Sequence, residues 1–189
     1  MQASDPRAHS ILTFWFGRGE RDKRWFEKSA AFDAEVRAKF LPLYEEAASG
    51  ALAGWTDRAG DCLALIVALD QFPRNMFRGT ARAFATDGRA LDAARRAVAE
   101  GYDRGMRPLE RMFVYLPFMH AESLEDQQRC CDLTEALKLF PETDDVNRYA
   151  RAHRDVVARF GRFPHRNAAL GRASTPEEIE FLKAPGSAF

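Results

Sequence analysis

Two well-separated segments of this 189-residue chain combine an aromatic residue, a proline and a run of hydrogen-bond donors. They are Asp70-Gln71-Phe72-Pro73-Arg74-Asn75 and Gly161-Arg162-Phe163-Pro164-His165-Arg166-Asn167. In each, the ring can anchor the segment, the proline interrupts a helix, and the Arg-Asn pair presents guanidinium and amide groups from a rigid backbone. A shared element at two places predicts one site assembled from both. Its chemistry would be recognition of an anion: Arg74, Arg78, Arg162 and Arg166 offer forked donors, and Asn75 and Asn167 add amides.

Asp70 is the most constrained polar residue. It follows the unbroken apolar run 62–69, and a carboxylate at the end of such a helix is disfavoured by the macrodipole, by about 0.3–1 kcal/mol. It therefore calls for a cationic partner, for which Arg74 and Arg78 are near in sequence. An ion pair that only fixes the loop fits this placement, and so does an Asp70 that orients an anion-binding arginine.

In Leu116-Pro117-Phe118-Met119-His120-Ala121-Glu122, a histidine beside a carboxylate makes His120 and Glu122 candidates for proton transfer, with His165 a third. The same residues could equally form a helix-terminal hydrogen-bond cluster. His153 lies on an apolar helical stripe and reads as a core histidine, whereas His9 reads as exposed. No HExxH or other standard ligand spacing is present, so no metal site is expected. P-loop, GxGxxG and GxSxG patterns are also missing, which leaves no nucleotide cofactor to expect and no serine-hydrolase chemistry.

The elements that must position these residues are helices. Val, Ile and Thr together number only 17, a scarcity that disfavours strands. Asp5-Pro6 starts a first helix with Ile11, Leu12 and Trp15 on one face and Gly17 at its end. A second stretch covers about 22–49, with Pro42 expected to kink or divide it. The run 62–69, apolar all round, is the candidate central helix. Asp87 is placed to cap the next helix, Pro108 to open another, and Ser123 to start one that carries Cys130, Leu133, Leu137 and Phe140. Val146, Tyr149, His153, Val156, Val157 and Phe160 form the clearest amphipathic pattern, and Thr175-Pro176-Glu177-Glu178 is a capping box. Eight or nine helices with short connections predict antiparallel hairpins in one domain spanning 1–189.

Charge is balanced, with 28 basic against 28 acidic residues, so no global field recruits nucleic acid or a membrane. Arg148 to Arg172 is arginine-rich while 120–146 is acidic, and mutual neutralisation of facing helices is the simpler reading. Cys62, Cys130 and Cys131 are too few and wrongly spaced for a disulfide framework or zinc site. The apolar stretch 11–16 is too short for a signal or membrane helix, which makes the cytoplasm the default expectation.

Five ordered motifs carry a family resemblance: Phe14-Trp15-Phe16-Gly17, Trp25-Phe26, Leu69 to Asn75, Leu116 to His120, and Phe160 to Asn167. Together they resemble the bacterial family called domain of unknown function 924, over about 11–182. The resemblance implies an all-α fold similar to the tetratricopeptide-like superfamily, a right-handed helical array, and no established activity. Where the family pattern commonly has Ser after the histidine, this chain has Ala121, so no hydroxyl is available at that point.

The leading functional expectation is a module that binds a small anionic ligand or an acidic peptide group at an Arg/His/Asn-lined site. One alternative is an enzyme acting on an anionic substrate, with His120 or His165 as acid-base and arginines stabilising charge. Another is that the motifs only lock the fold and a protein partner binds elsewhere. Neither nucleic acid nor membrane is expected as partner, and composition leaves the oligomeric state open.

Overall fold

The computed structural model describes residues 3–17 and 19–187, and among them there is no strand. The fold is all-α. Helix α1 (Pro6–Phe16) starts as expected, with the Asp5 side chain accepting from the Arg7 N–H and Pro6 in the first turn. The stretch 22–49 is not one helix: a 3₁₀ turn, Lys23–Trp25, precedes α2 (Ala30–Ser49), which the Ser29 side chain caps. Pro42 does not divide α2, which runs through it.

Helix α3 (Ala59–Ile66) lies at the centre, as its apolar sequence requires, packed by α1, α5 and α6. It does not stop at Asp70. The chain continues as a π turn, Val67–Gln71, into α4 (Phe72–Met76). Pro73 is the reason for the altered register, since it has no N–H to give the carbonyl four residues back. That carbonyl, Leu69, accepts instead from the Thr86 hydroxyl at 2.6 Å. The Asp70 carbonyl accepts from the Arg74 guanidinium at 2.7 Å.

Thr86 is also the N-cap residue of α5 (Asp87–Ala99), so Asp87 occupies the first helical position rather than the cap. Helices α6 (Pro108–His120), α7 (Leu124–Glu135) and α8 (Val146–Phe160) pack in succession. Phe140 lies beyond α7 and the 3₁₀ turn Ala136–Leu139. A further 3₁₀ turn, Pro164–Arg166, carries the second Phe-Pro segment, and the capping box at Thr175 opens α9 (Pro176–Phe181).

Aromatic packing fixes the π turn. The Phe72 ring stacks on Phe40 with centroids 4.8 Å apart and meets Trp15 edge-on at 5.7 Å. Trp15 also meets Phe113 of α6, and Trp25 donates to the Trp15 carbonyl at 3.0 Å. The Phe14-Trp15-Phe16 and Trp25-Phe26 motifs are thus largely core. All three cysteines are free and buried, and burial pushes the Cys62 thiol up to about 12.

Candidate functional site

The π turn aims Asp70 into a network that several elements share. His120, the last residue of α6, places Nδ1 2.8 Å from Asp70 Oδ1, and Gln71 donates to Asp70 Oδ2 at 2.5 Å. Arg74 Nη1 lies 3.4 Å from Asp70 Oδ1, but its closer carboxylate is that of Asp87, gripped by both terminal nitrogens at 2.8 and 3.0 Å. Arg166, from the second Phe-Pro segment, reaches the same carboxylate, with Nη1 3.2 Å from Asp87 Oδ2. His120, Asp70, Arg74, Asp87 and Arg166 therefore form one alternating chain of charged and polar groups.

The chain closes on itself through rings. The Arg166 guanidinium packs against Phe163 at 4.5 Å and Phe84 at 4.7 Å. Phe163 meets the His153 ring at 5.6 Å, and His153 lies 6.4 Å from His120. His165 adds its ring 5.6 Å from Phe163. Asp70 is 1% exposed and Arg166 7%, while His120 at 16% and Arg74 and Asp87 at 19% each open the ring to solvent.

Electrostatics follow from burial. Burial alone would raise the Asp70 carboxyl, but Arg74 and His120 more than offset it and hold it below the ordinary carboxylate range. Burial and Arg74 depress His120, despite the opposing pull of Asp70. His153 is pushed down to about 3 by burial and then by His120, and His165 to about 4 by burial and then Arg166. Arg166 falls to about 10 through burial and the neighbouring Arg74. Its Nε is buried without a hydrogen-bond partner among the described residues.

The convergence of Arg74, Arg166 and His120 follows the sequence pattern, whereas other expected members stand apart. Arg78 does not partner Asp70; it forks onto Asp33 of α2 at 2.7 and 2.9 Å, and Asn75 donates to the same Asp33 at 2.8 Å. Arg162 forks onto Glu178 of α9, which Asn167 also contacts at 3.2 Å. Glu122 is held by Arg172 at 2.6 and 2.9 Å and accepts from the Phe163 N–H at 2.7 Å. The Asp33 contacts pin the first segment, and the Glu178 and Glu122 contacts pin the second, rather than joining the ring. Asp87, Phe84 and Thr86 were missed as site residues, because only their distance partners reveal them.

Neutralisation of the arginine-rich and acidic segments is partial. Arg151–Glu135 and Arg172–Glu122 link them, whereas Arg159 and Arg162 turn to Glu177 and Glu178. No group of three or more His, Cys, Asp or Glu among the described residues is placed to hold a metal ion. Nor is any described helix long and apolar enough to cross a membrane. A groove of about 960 Å³ between α5 and α7, lined by Arg95, Phe118, Leu124 and Arg129 among others, includes no member of the ring.

The model of a bacterial protein family of unknown function, domain of unknown function 924, matches residues 11–186. The chain belongs to this family. A solved structure of a protein of unknown function from Agrobacterium tumefaciens is similar to it, with 45% identity and a TM-score of 0.86, covering 94% of this chain and 97% of the other. Comparison with curated proteins gives no match. The segments around Leu69, Leu116–His120 and Phe163 build the ring, while those at Phe14 and Trp25 build the core behind it.

Proposed function

We propose that the ring binds a small anion, with Arg166 as its principal donor and Arg74 and His120 beside it. The observation that carries this reading is the Arg166 Nε, buried and without a hydrogen bond among the described residues, on a guanidinium packed against two phenyl rings. A buried N–H left unsatisfied costs about 1–3 kcal/mol. Among the described residues the same guanidinium has a single carboxylate contact, at 3.2 Å. An oxyanion at Nε supplies the missing acceptor and the negative charge that the lowered Arg166 pKa calls for. The acidic group of a peptide offers the same acceptor, but the narrow exposure of Arg74, Asp87 and His120 favours a small ligand.

A second reading, acid-base catalysis on an anionic substrate, draws support from the Asp70–His120 contact. A carboxylate on Nδ1 fixes the tautomer and orientation that a general base needs. Both readings place the anion on Arg166.

The test is thermal stability in sulfate, phosphate and acetate. A ligand at a hundred times its Kd stabilises by about 2.7 kcal/mol, so the unfolding midpoint of the wild type is expected to rise with anion concentration. Arg166→Met is expected to fold, because Arg74 still grips Asp87, but to lose the rise. Arg78→Met, outside the ring, is expected to keep it. A wild-type midpoint indifferent to all three anions overturns the proposal.

A further inference from the structure

The two histidines that face each other across the ring have fixed tautomers. His153 Nδ1 lies 2.8 Å from the Tyr149 carbonyl, which can only accept, so the proton is on Nδ1. His120 Nδ1 lies 2.8 Å from Asp70, an ionised carboxylate, so its proton is on Nδ1 as well. In their neutral forms both rings therefore carry a lone pair at Nε2. A lone pair repels an oxyanion.

Formal charge points the same way. Arg74 and Arg166 stand against Asp70 and Asp87, so with neutral histidines the ring is balanced before any ligand arrives. A dianion entering this poorly solvated place leaves two uncompensated negative charges unless a group nearby gains a proton. The groups acting on His120 are Asp70 from the π turn, Arg74 from α4, Asp87 from α5, His153 from α8 and His165 from the 3₁₀ turn, with Gln71 behind Asp70 and Arg166 behind Asp87. Of the imidazoles, His120 has a carboxylate against it to stabilise the cation. His153 has a backbone carbonyl at Nδ1 and is more deeply buried.

Donor geometry narrows the ligand. Arg74 already spends its fork on Asp87, and Arg166 spends one nitrogen there. What remains is the Nε–Nη2 edge of Arg166 and, once protonated, Nε2 of His120 on α6; the two oxygens of a carboxylate saturate such an edge, whereas a phosphate-type anion keeps further oxygens, out of that plane, for a second donor. Resting on the anion-binding reading above, we propose that the ring takes a tetrahedral oxyanion of the phosphate type together with one proton, acquired by His120 at Nε2. The proton moves from solvent to Nε2 as the anion enters and returns when it leaves, so rising pH releases the ligand.

Sulfate is the probe, since it stays a dianion across the working range. Calorimetric titration at about pH 7.5 in two buffers of different ionisation heat is expected to give heats that differ by close to the full buffer difference, about one proton per sulfate. Affinity is expected to fall about tenfold per pH unit where free His120 is neutral and bound His120 is charged. His120→Gln is expected to remove the buffer dependence and flatten the pH profile. The wild-type buffer comparison decides the matter even if that variant folds poorly.

Competition against sulfate by inorganic phosphate and by glycerol 1-phosphate identifies the source as free anion or ester, and competition by neither overturns the phosphate-type assignment. Acetate binding more tightly than sulfate overturns it as well. Sulfate binding with buffer-independent heats overturns the proton. An absence of sulfate binding by both heat and thermal shift overturns the anion-binding reading itself.

Discussion

Burial makes the histidines around the ring sensitive to acid, and the direction can be worked out for each. His153 is held at about 3 and His165 at about 4, whereas both accept a proton near 6.5 once unfolded. Between these values the unfolded chain binds more protons than the folded one, so the stability they confer is full above about pH 6.5 and is lost as pH falls. Asp70, held below the ordinary carboxylate range, acts with the same sign but further down, where its carboxylate is protonated. The interval from about pH 6.5 to 5 therefore isolates the histidines. The urea midpoint is expected to drop across it, and His153→Phe, which removes one ionisation, is expected to make that drop shallower. An unchanged slope in the variant would show that His153 is not the buried neutral base described here. The sequence alone marked His153 as a core histidine from its apolar stripe, and it is one. It could not show that a second imidazole, from α6, lies across from it.

At the scale of the element, the π turn decides where Asp70 points. Its stability depends on a hydroxyl from another helix: Thr86 satisfies the Leu69 carbonyl that Pro73 leaves open. Thr86→Val keeps the shape and strands that buried carbonyl, with an expected loss of about 1–3 kcal/mol in chemical denaturation. Pro73→Ala restores an N–H able to reach Leu69, so Thr86→Val on that background is expected to cost less. Equal costs on both backgrounds would sever the link between proline and hydroxyl. Local rules read Pro73 as a helix stop because they register the missing N–H and not the partner supplied from α5. For the same reason Asp87 looked like a cap, when its carboxylate is taken by arginines from two other segments. Features with local causes were legible: the apolar run of α3, the amphipathic face of α8 and the capping box of α9. Asn75 and Arg78 turning to Asp33 was not, because that acid lies on α2.

Across the whole molecule, apolar packing is divided unequally. One large cluster runs from α1 to the first half of α8, and a small one contains Val156, Val157 and Phe163 with Phe160 and Phe181 against it. The segment 163–187 thus has little apolar area of its own, and polar contacts must supply much of its attachment. Glu122 is the principal clasp, since it holds both the Arg172 fork and the Phe163 N–H. Its carboxyl would be raised by burial, but Arg172 and that N–H bring it below its ordinary value. The Arg166–Asp87 contact is the second clasp, and it belongs to the ring. The lower stability of such a segment is where local opening is expected first. Glu122→Ala is therefore expected to speed backbone hydrogen exchange across 163–187 while α3 and α6 keep their protection. A uniform loss throughout the molecule would mean that the segment and the main core unfold as one unit. Unchanged exchange in 163–187 would mean that the ring alone holds it. In either of the first two cases sulfate is expected to restore part of the protection, because the anion engages Arg166 within the segment and Arg74 on the main body.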